Sequence, residues 1–224
     1  MRNYLRKYRL ILILSGIFLL LKLFARNAAV VENDYTYGFY PVLSHTMRGL
    51  LGWLPFSLGD LLYAAAALGF FYFSWKIIKL LRQKRLGQVA PTLFQNLITT
   101  LLVILILFNG LWGLNYNRQG IAHQLQLDVK PYALSDVIKL TQALQLQLNT
   151  YAALTDTAKR ASLNNNNQLF QNAIAVYKTA EPGFPFLNYK TPSIKPSLYS
   201  DIGQYFGFTG YYNPFTGEAQ LKTN

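Results

Sequence analysis

The chain has 224 residues, of which 52% are hydrophobic and only 13% charged, with a formal net charge of +12 and no cysteine. The apolar excess points to a membrane protein, and the absence of cysteine excludes a disulfide framework, a thiolate metal site and a cysteine nucleophile. Nucleic-acid binding is excluded by where the charge lies: residues 1–114 hold 12 Lys/Arg against 3 Asp/Glu and residues 115–224 hold 9 against 6, so the basic excess sits among the apolar runs, as membrane orientation requires.

The first apolar run is LILILSGIFLLLKLF, residues 10–24. Its uncharged part ends at Lys22 and is short enough for a signal-peptide core. No small-x-small cleavage site follows and the run continues through Leu23 and Phe24, which favours an uncleaved anchor whose Lys22 snorkels outward. The second run, LGDLLYAAAALGFFYFSWKII at 58–78, has Asp60 at one end and Lys76 at the other. The third is free of charge from Arg85 to Arg118 and centres on LITTLLVILILFNGLWGL, giving a span at about 93–114. All three are expected as helices, because only a helix satisfies its own backbone hydrogen bonds in hydrocarbon. Trp53, Tyr63, Trp75, Trp112 and Tyr116 fall near the ends of the later two spans, where aromatic rings anchor in the headgroup layer.

Orientation follows from the basic residues. Arg2, Arg6, Lys7 and Arg9 precede the first run, and Lys76, Lys79, Arg82, Lys84 and Arg85 cluster after the second. Both groups belong in the cytoplasm. The loop between the first two spans and everything after Tyr116 are then extracytoplasmic.

In the external region Leu134, Val137, Ile138, Leu144, Leu148 and Tyr151 recur at helical spacing with Ser135 as N-cap, and a second helix is expected over residues 167–179. NNNN at 164–167 reads as a polar loop. After Glu181 the prolines at 182, 185, 192 and 196 forbid regular hydrogen bonding, leaving a loop with aromatic anchors. YY, an N-P-F-T-G turn and EAQL then suggest a hairpin with an edge strand. Two helices and one hairpin offer few faces to bury against. The expected fold is mainly α: a membrane domain of three transmembrane helices, residues 1–117, followed by a small and incomplete α+β external domain, residues 118–224.

The chemistry available is sparse. His45 and His123 are 78 residues apart and neither has a helical partner at i+4, so a metal site with Glu218 or Asp128 is disfavoured against surface histidines. Glu218 follows Gly217 in the turn; it reads as a solvated turn residue, with a role as base or substrate-orienting carboxylate as the sharper alternative. No phosphate loop, dinucleotide glycine pattern, G-x-S-x-G turn or H-E-x-x-H occurs.

Three blocks carry a resemblance: LPFSLGD (54–60), WGLNYNR (112–118) and KPSLYS with GYYNPFTGEA, between Lys195 and Ala219. They resemble a family of bacterial multi-pass membrane proteins of unknown function whose external domain ends in a zincin-like H-E-x-x-H segment. The resemblance implies an inner-membrane protein with its N-terminus in the cytoplasm, related to the N-terminal part of a membrane-anchored zinc metallopeptidase. In that family N-P-F-T-G-E-A stands shortly before the histidine-bearing helix, so this chain is expected to be truncated and inactive as written. No catalytic or metal-binding residue transfers to it, and zinc is expected only with the missing segment. Candidates for a substrate cleft are Tyr211, Tyr212, Asn213, Phe215 and Glu218, with Tyr211 to Leu221 as an edge strand that would align an extended peptide. The competing reading is a non-enzymatic membrane protein whose external tail binds a protein partner or the cell envelope. A transporter is poorer, since no span holds a mid-membrane acidic residue.

Overall fold

The computed structural model describes residues 2–154 and 165–222. Helix α1 (Arg2–Phe24) contains the first apolar run and extends it towards the N-terminus. Just beyond it Asn27 accepts hydrogen bonds from the backbone N–H groups of Ala29 (3.1 Å) and Val30 (3.2 Å) and so starts α2 (Ala28–Val30). The chain stays helical through a π-helical stretch, Val31–Phe39, and α3 (Tyr40–Leu51), at 96° to α1. What the sequence reading treats only as the loop between two spans is therefore helical for most of its length. Burial fixes it there: Val31 and Tyr35 pack with Ala25 and Leu114, and the Tyr35 hydroxyl donates to the carbonyl of Gly110 at 3.0 Å.

Helix α4 (Leu58–Arg82) has Ser57 as its cap, with the hydroxyl accepting from the Asp60 N–H at 3.0 Å. Asp60 lies in the first turn and Lys79 and Arg82 in the last, matching the helix dipole at both ends. Helix α5 (Leu86–Leu111) follows and ends in a short 3-10 helix, Gly113–Asn117. Both α4 and α5 are long and apolar enough to cross a membrane, and α1 with the bent helix after it is a third candidate. Against the expected spans at 58–78 and 93–114, α4 runs four residues further and α5 starts seven residues earlier, because helix continues into flanking polar turns, whereas α5 ends three residues sooner, at Leu111, where the chain turns into the 3-10 helix.

Helix α1 packs chiefly on α5. There the exposed Lys22 has its ammonium 3.5 Å from Asn109 Oδ1 and 5.4 Å from the Phe18 ring centroid. A buried amide on the neighbouring helix and an aromatic face offer a cation partners that lipid does not.

Residues 120–190 form a separate unit with α6 (Gly120–Gln124), α7 (Leu134–Leu154) and α8 (Asn166–Ala180). Ser135 lies inside the first turn of α7 and is not its cap; Asp136 reaches back to accept from the Ala133 N–H at 3.0 Å, the acidic half of a capping box. The asparagine run is partly a helix start. Asn165 caps α8 by accepting from Asn167 N (3.0 Å) and Gln168 N (3.4 Å), whereas Asn164 lies outside the described residues. No residue of α7 is buried.

Residues 191–222 cluster with 2–119. The proline-rich stretch, expected as loop, contains β1 (Ile194–Pro196) and a short helix α9 (Ser200–Tyr205). The expected hairpin is present as β2 (Gly210–Asn213) and β3 (Glu218–Leu221). The strand order is β1-β3-β2. β3 is central, parallel to β1 with Ile194 opposite Ala219, and antiparallel to β2 with Tyr211 opposite Gln220. Proline is tolerated in β1 because the strand is only three residues long and lies at an edge; the ladder resumes at once with Ser197 N to Leu221 O at 2.9 Å.

Candidate functional site

The ends of α3, α4 and α5 and the small sheet meet in a buried joint made almost entirely of polar side chains. The hairpin turn supplies its rigid rim. Asn213 Oδ1 accepts from Phe215 N at 3.0 Å, and Gly217 N donates to Asn213 O at 2.9 Å, an Asx turn that proline at position 214 favours. Gly217 has φ +70, a conformation that glycine adopts without steric cost.

Glu218, the first residue of β3, has no exposed surface. The expectation of a solvated turn carboxylate is thus corrected. Register explains it: Glu218 stands opposite Asn213, on the face of β3 that also buries Gln220, because side chains two apart in a strand share a face. Its Oε1 pairs with Lys195 Nζ at 2.6 Å and accepts from Ser193 Oγ at 2.7 Å. Lys195 is almost as deeply buried and donates further to the carbonyls of Leu51 (2.9 Å) and Phe56 (3.2 Å). One ammonium therefore ties β1, β3 and the α3–α4 corner together.

Asp60 makes the second tie, also with no exposed surface. Its carboxylate accepts from the Leu198 N–H at 2.7 Å and from the Tyr211 hydroxyl, and the Tyr199 hydroxyl donates to its backbone carbonyl at 2.7 Å. Ser57 accepts from Gln220 Nε2 at 2.9 Å. Gly59 leaves room for the turn: a Cβ on it would lie 2.0 Å from Asn213 Nδ2. On the α3 side, Arg48 donates through Nε to Thr191 O at 2.9 Å and through Nη1 to Gly217 O at 3.4 Å, while His45 Nδ1 and Thr191 Oγ1 are 2.8 Å apart. The Tyr212 hydroxyl bonds that of Tyr40, and its ring lies 5.8 Å from Trp112.

The electrostatics favour neutral phenols. Burial, reinforced by the hydrogen bond to Asp60, holds the Tyr211 phenol far above the ordinary tyrosine value. Burial likewise raises Tyr212, against the opposing influence of Tyr40 and Arg48. Asn213 Nδ2, Thr216 Oγ1, Glu218 Oε2 and Gln220 Oε1 are buried without a protein partner, so the joint depends strongly on the bonds that are made.

The five cleft candidates are therefore gathered in one place. Tyr211 and Tyr212 lie in the edge strand β2 with their hydroxyls on Asp60 and Tyr40. Asn213 and Glu218 are enclosed, and Phe215 packs edge-on against Tyr63 at 6.2 Å. Asp60, Lys195, Ser57, Ser193 and Arg48 carry no functional signal in the sequence alone, although Ser57-x-x-Asp60 just before an apolar run is a legible helix-start signature. Among the described residues no three His, Asp or Glu side chains are grouped so as to share a metal ion.

The quoted sequence blocks meet here. Asp60 from LPFSLGD holds Leu198 of KPSLYS and Tyr211 of GYYNPFTGEA, and Trp112 of WGLNYNR stacks near Tyr212. No curated protein and no solved structure matches the chain. The profile of the family described as "Protein of unknown function (DUF3810)" matches residues 35–224, which contain the whole joint. The chain belongs to that family.

Proposed function

We propose that this chain is the membrane-anchoring, sheet-presenting portion of a membrane-anchored zinc-metallopeptidase-like protein of the bacterial inner membrane, and that it has no catalytic activity of its own. The observation that carries the reading is the joint: Lys195 and Asp60 bind a three-stranded sheet to the ends of apolar helices through buried polar bonds. A sheet held this way keeps a fixed height above the bilayer, which suits presentation of an edge strand to an extended peptide. In this reading the amino terminus is cytoplasmic and the sheet is extracytoplasmic, as the basic clusters before the first span and after the second require. β2 is the aligning edge, with Tyr211 and Tyr212 holding it in place and Asn213, Phe215 and Glu218 shaping the turn beside it. H-E-x-x-H does not occur in these residues, and none of them is assigned to zinc binding or peptide hydrolysis in this reading.

Paired reporters placed after residue 222 test the side of the membrane. Periplasmic alkaline phosphatase is expected to be active and a green fluorescent reporter dark; the opposite pattern overturns the orientation. Purified protein is expected to hold less than one zinc per ten chains by elemental analysis and to leave a fluorogenic peptide library uncut; one tightly held zinc per chain, or cutting abolished by a chelator, overturns the inactive assignment. The reading of a partner-binding tail is favoured by one observation, the exposed Leu134, Leu140, Leu144 and Leu148 on α7, a row that soluble monomers seldom leave open.

A further inference from the structure

A second membrane contact, separate from the spanning helices, is implied by how the sheet is tied down. Asp60 lies in the first turn of α4. That helix has 25 residues, about 37 Å at the usual rise, against about 30 Å of hydrocarbon. A centred span thus leaves its first turn within a few ångströms of the hydrocarbon boundary, in the headgroup layer. The Asp60 carboxylate is bonded to Leu198 N at 2.7 Å and its carbonyl to the Tyr199 hydroxyl at 2.7 Å, so the segment that follows starts at that depth. Lys195 fixes the neighbouring corner through Leu51 O and Phe56 O.

That segment and the adjoining corner carry exposed apolar side chains that nothing in the fold accounts for. Leu198 is 61% exposed, Ile202 58%, Tyr205 90% and Phe206 77%, and on the adjoining corner Leu50 is 67% and Trp53 77% exposed. On α4 itself Leu61 and Leu62 are also open. Large aromatic rings at a span end are the composition of an interfacial belt, and the short helix they ride on need only lie in the boundary plane. The acidic residue there, Asp201, is 3.6 Å from Lys222, which offsets its repulsion from anionic headgroups.

We propose that residues 198–206, with Leu50 and Trp53, form an interfacial wedge that inserts into the headgroup layer beside the start of α4. The occupant of this surface is lipid, and the wedge sets the height of the sheet together with Asp60 and Lys195.

The chain has no cysteine, so single spin labels can be placed without background. Phe206→Cys and, as a second site, Ile202→Cys are labelled with a nitroxide in the full protein in phosphatidylcholine–phosphatidylglycerol vesicles, with Lys130→Cys, an exposed position, as the aqueous control. Collision rates are measured with oxygen, with a soluble nickel chelate and with a nickel-chelating lipid headgroup. At both wedge sites the oxygen-to-soluble-nickel ratio is expected to exceed that at Lys130→Cys by at least threefold, with strong relaxation by the nickel lipid. A ratio equal to the control at both sites overturns the proposal, as does low accessibility to all three reagents, which would mean a protein cover. Label–label dipolar coupling at either site would identify that cover as a second copy and overturns it too. Intrinsic tryptophan melting of each labelled variant within a few degrees of the parent establishes that the fold is retained.

Discussion

Removing the Lys195 ammonium tests the joint most directly. In Lys195→Met the stem is kept and the charge lost, so Glu218 keeps only the Ser193 hydroxyl and the carbonyls of Leu51 and Phe56 lose the ammonium, Leu51 keeping the Leu54 N–H at 3.1 Å. Both partners of the pair are buried, and breaking such a pair on one side costs about 3–5 kcal/mol, chiefly because a charge is left enclosed without a counterion. The magnitude follows from enclosure, since an exposed pair at the same distance would be worth about 1 kcal/mol or less. Amide hydrogen exchange in lipid nanodiscs reads it locally: at about 1.4 kcal/mol per decade, the protected amides of β2 and β3 should exchange about 140- to 3,700-fold faster than in the parent. The double variant Lys195→Met/Glu218→Gln removes both charges and is expected to recover at least half of the protection, because the neutral amide still accepts from Ser193. Exchange in Lys195→Met within threefold of the parent would refute the buried pair, and a double variant no better than the single would refute the argument that the orphaned charge causes the loss.

Two further outcomes follow from the same geometry. Gly59→Ala should lower the thermal midpoint in detergent despite the better helix propensity of alanine, because its Cβ would lie 2.0 Å from Asn213 Nδ2; overpacking costs about 1–3 kcal/mol, and in an Asn213→Gly background the same change should cost distinctly less. For pH, the folded Tyr211 and Tyr212 phenols are raised above their unfolded value by burial, so the folded state holds more protons above about pH 10. Their contribution is complete below that pH and is lost as pH rises towards the raised folded values. Tyrosinate absorbance at 295 nm should therefore lag behind free tyrosine until the sheet opens, with Tyr211→Phe removing part of the lag; ionisation of every tyrosine at the ordinary value would contradict it.

How much was legible beforehand differs from element to element. The second and third spans stand out in sequence because a helix in lipid must present about 20 apolar residues in a row, and the hairpin because Asn213-Pro214 and Gly217 punctuate two short extended runs. The strand β1 and helix α9 were hidden among prolines. Local hydrogen bonding there is poor, and the order comes from partners far along the chain: Leu221 carbonyl for Ser197 and Asp60 for Leu198. The contact of Lys22 with Asn109 is hidden for a similar reason, since the two stand 87 residues apart.

The amino-acid order by itself determined that this is a membrane protein with apolar spans and a β-hairpin near its end, since those properties depend on runs and spacings within one segment. Which polar residues matter was decided only by the fold. Asp60, Lys195 and Glu218 look in sequence like a helix-end acid, a loop base and a turn acid, and each would be solvated if its segment stood alone. Tertiary packing brings them together out of water, where a charge without a partner is costly, and long-range contacts of that kind leave no periodic mark on the chain.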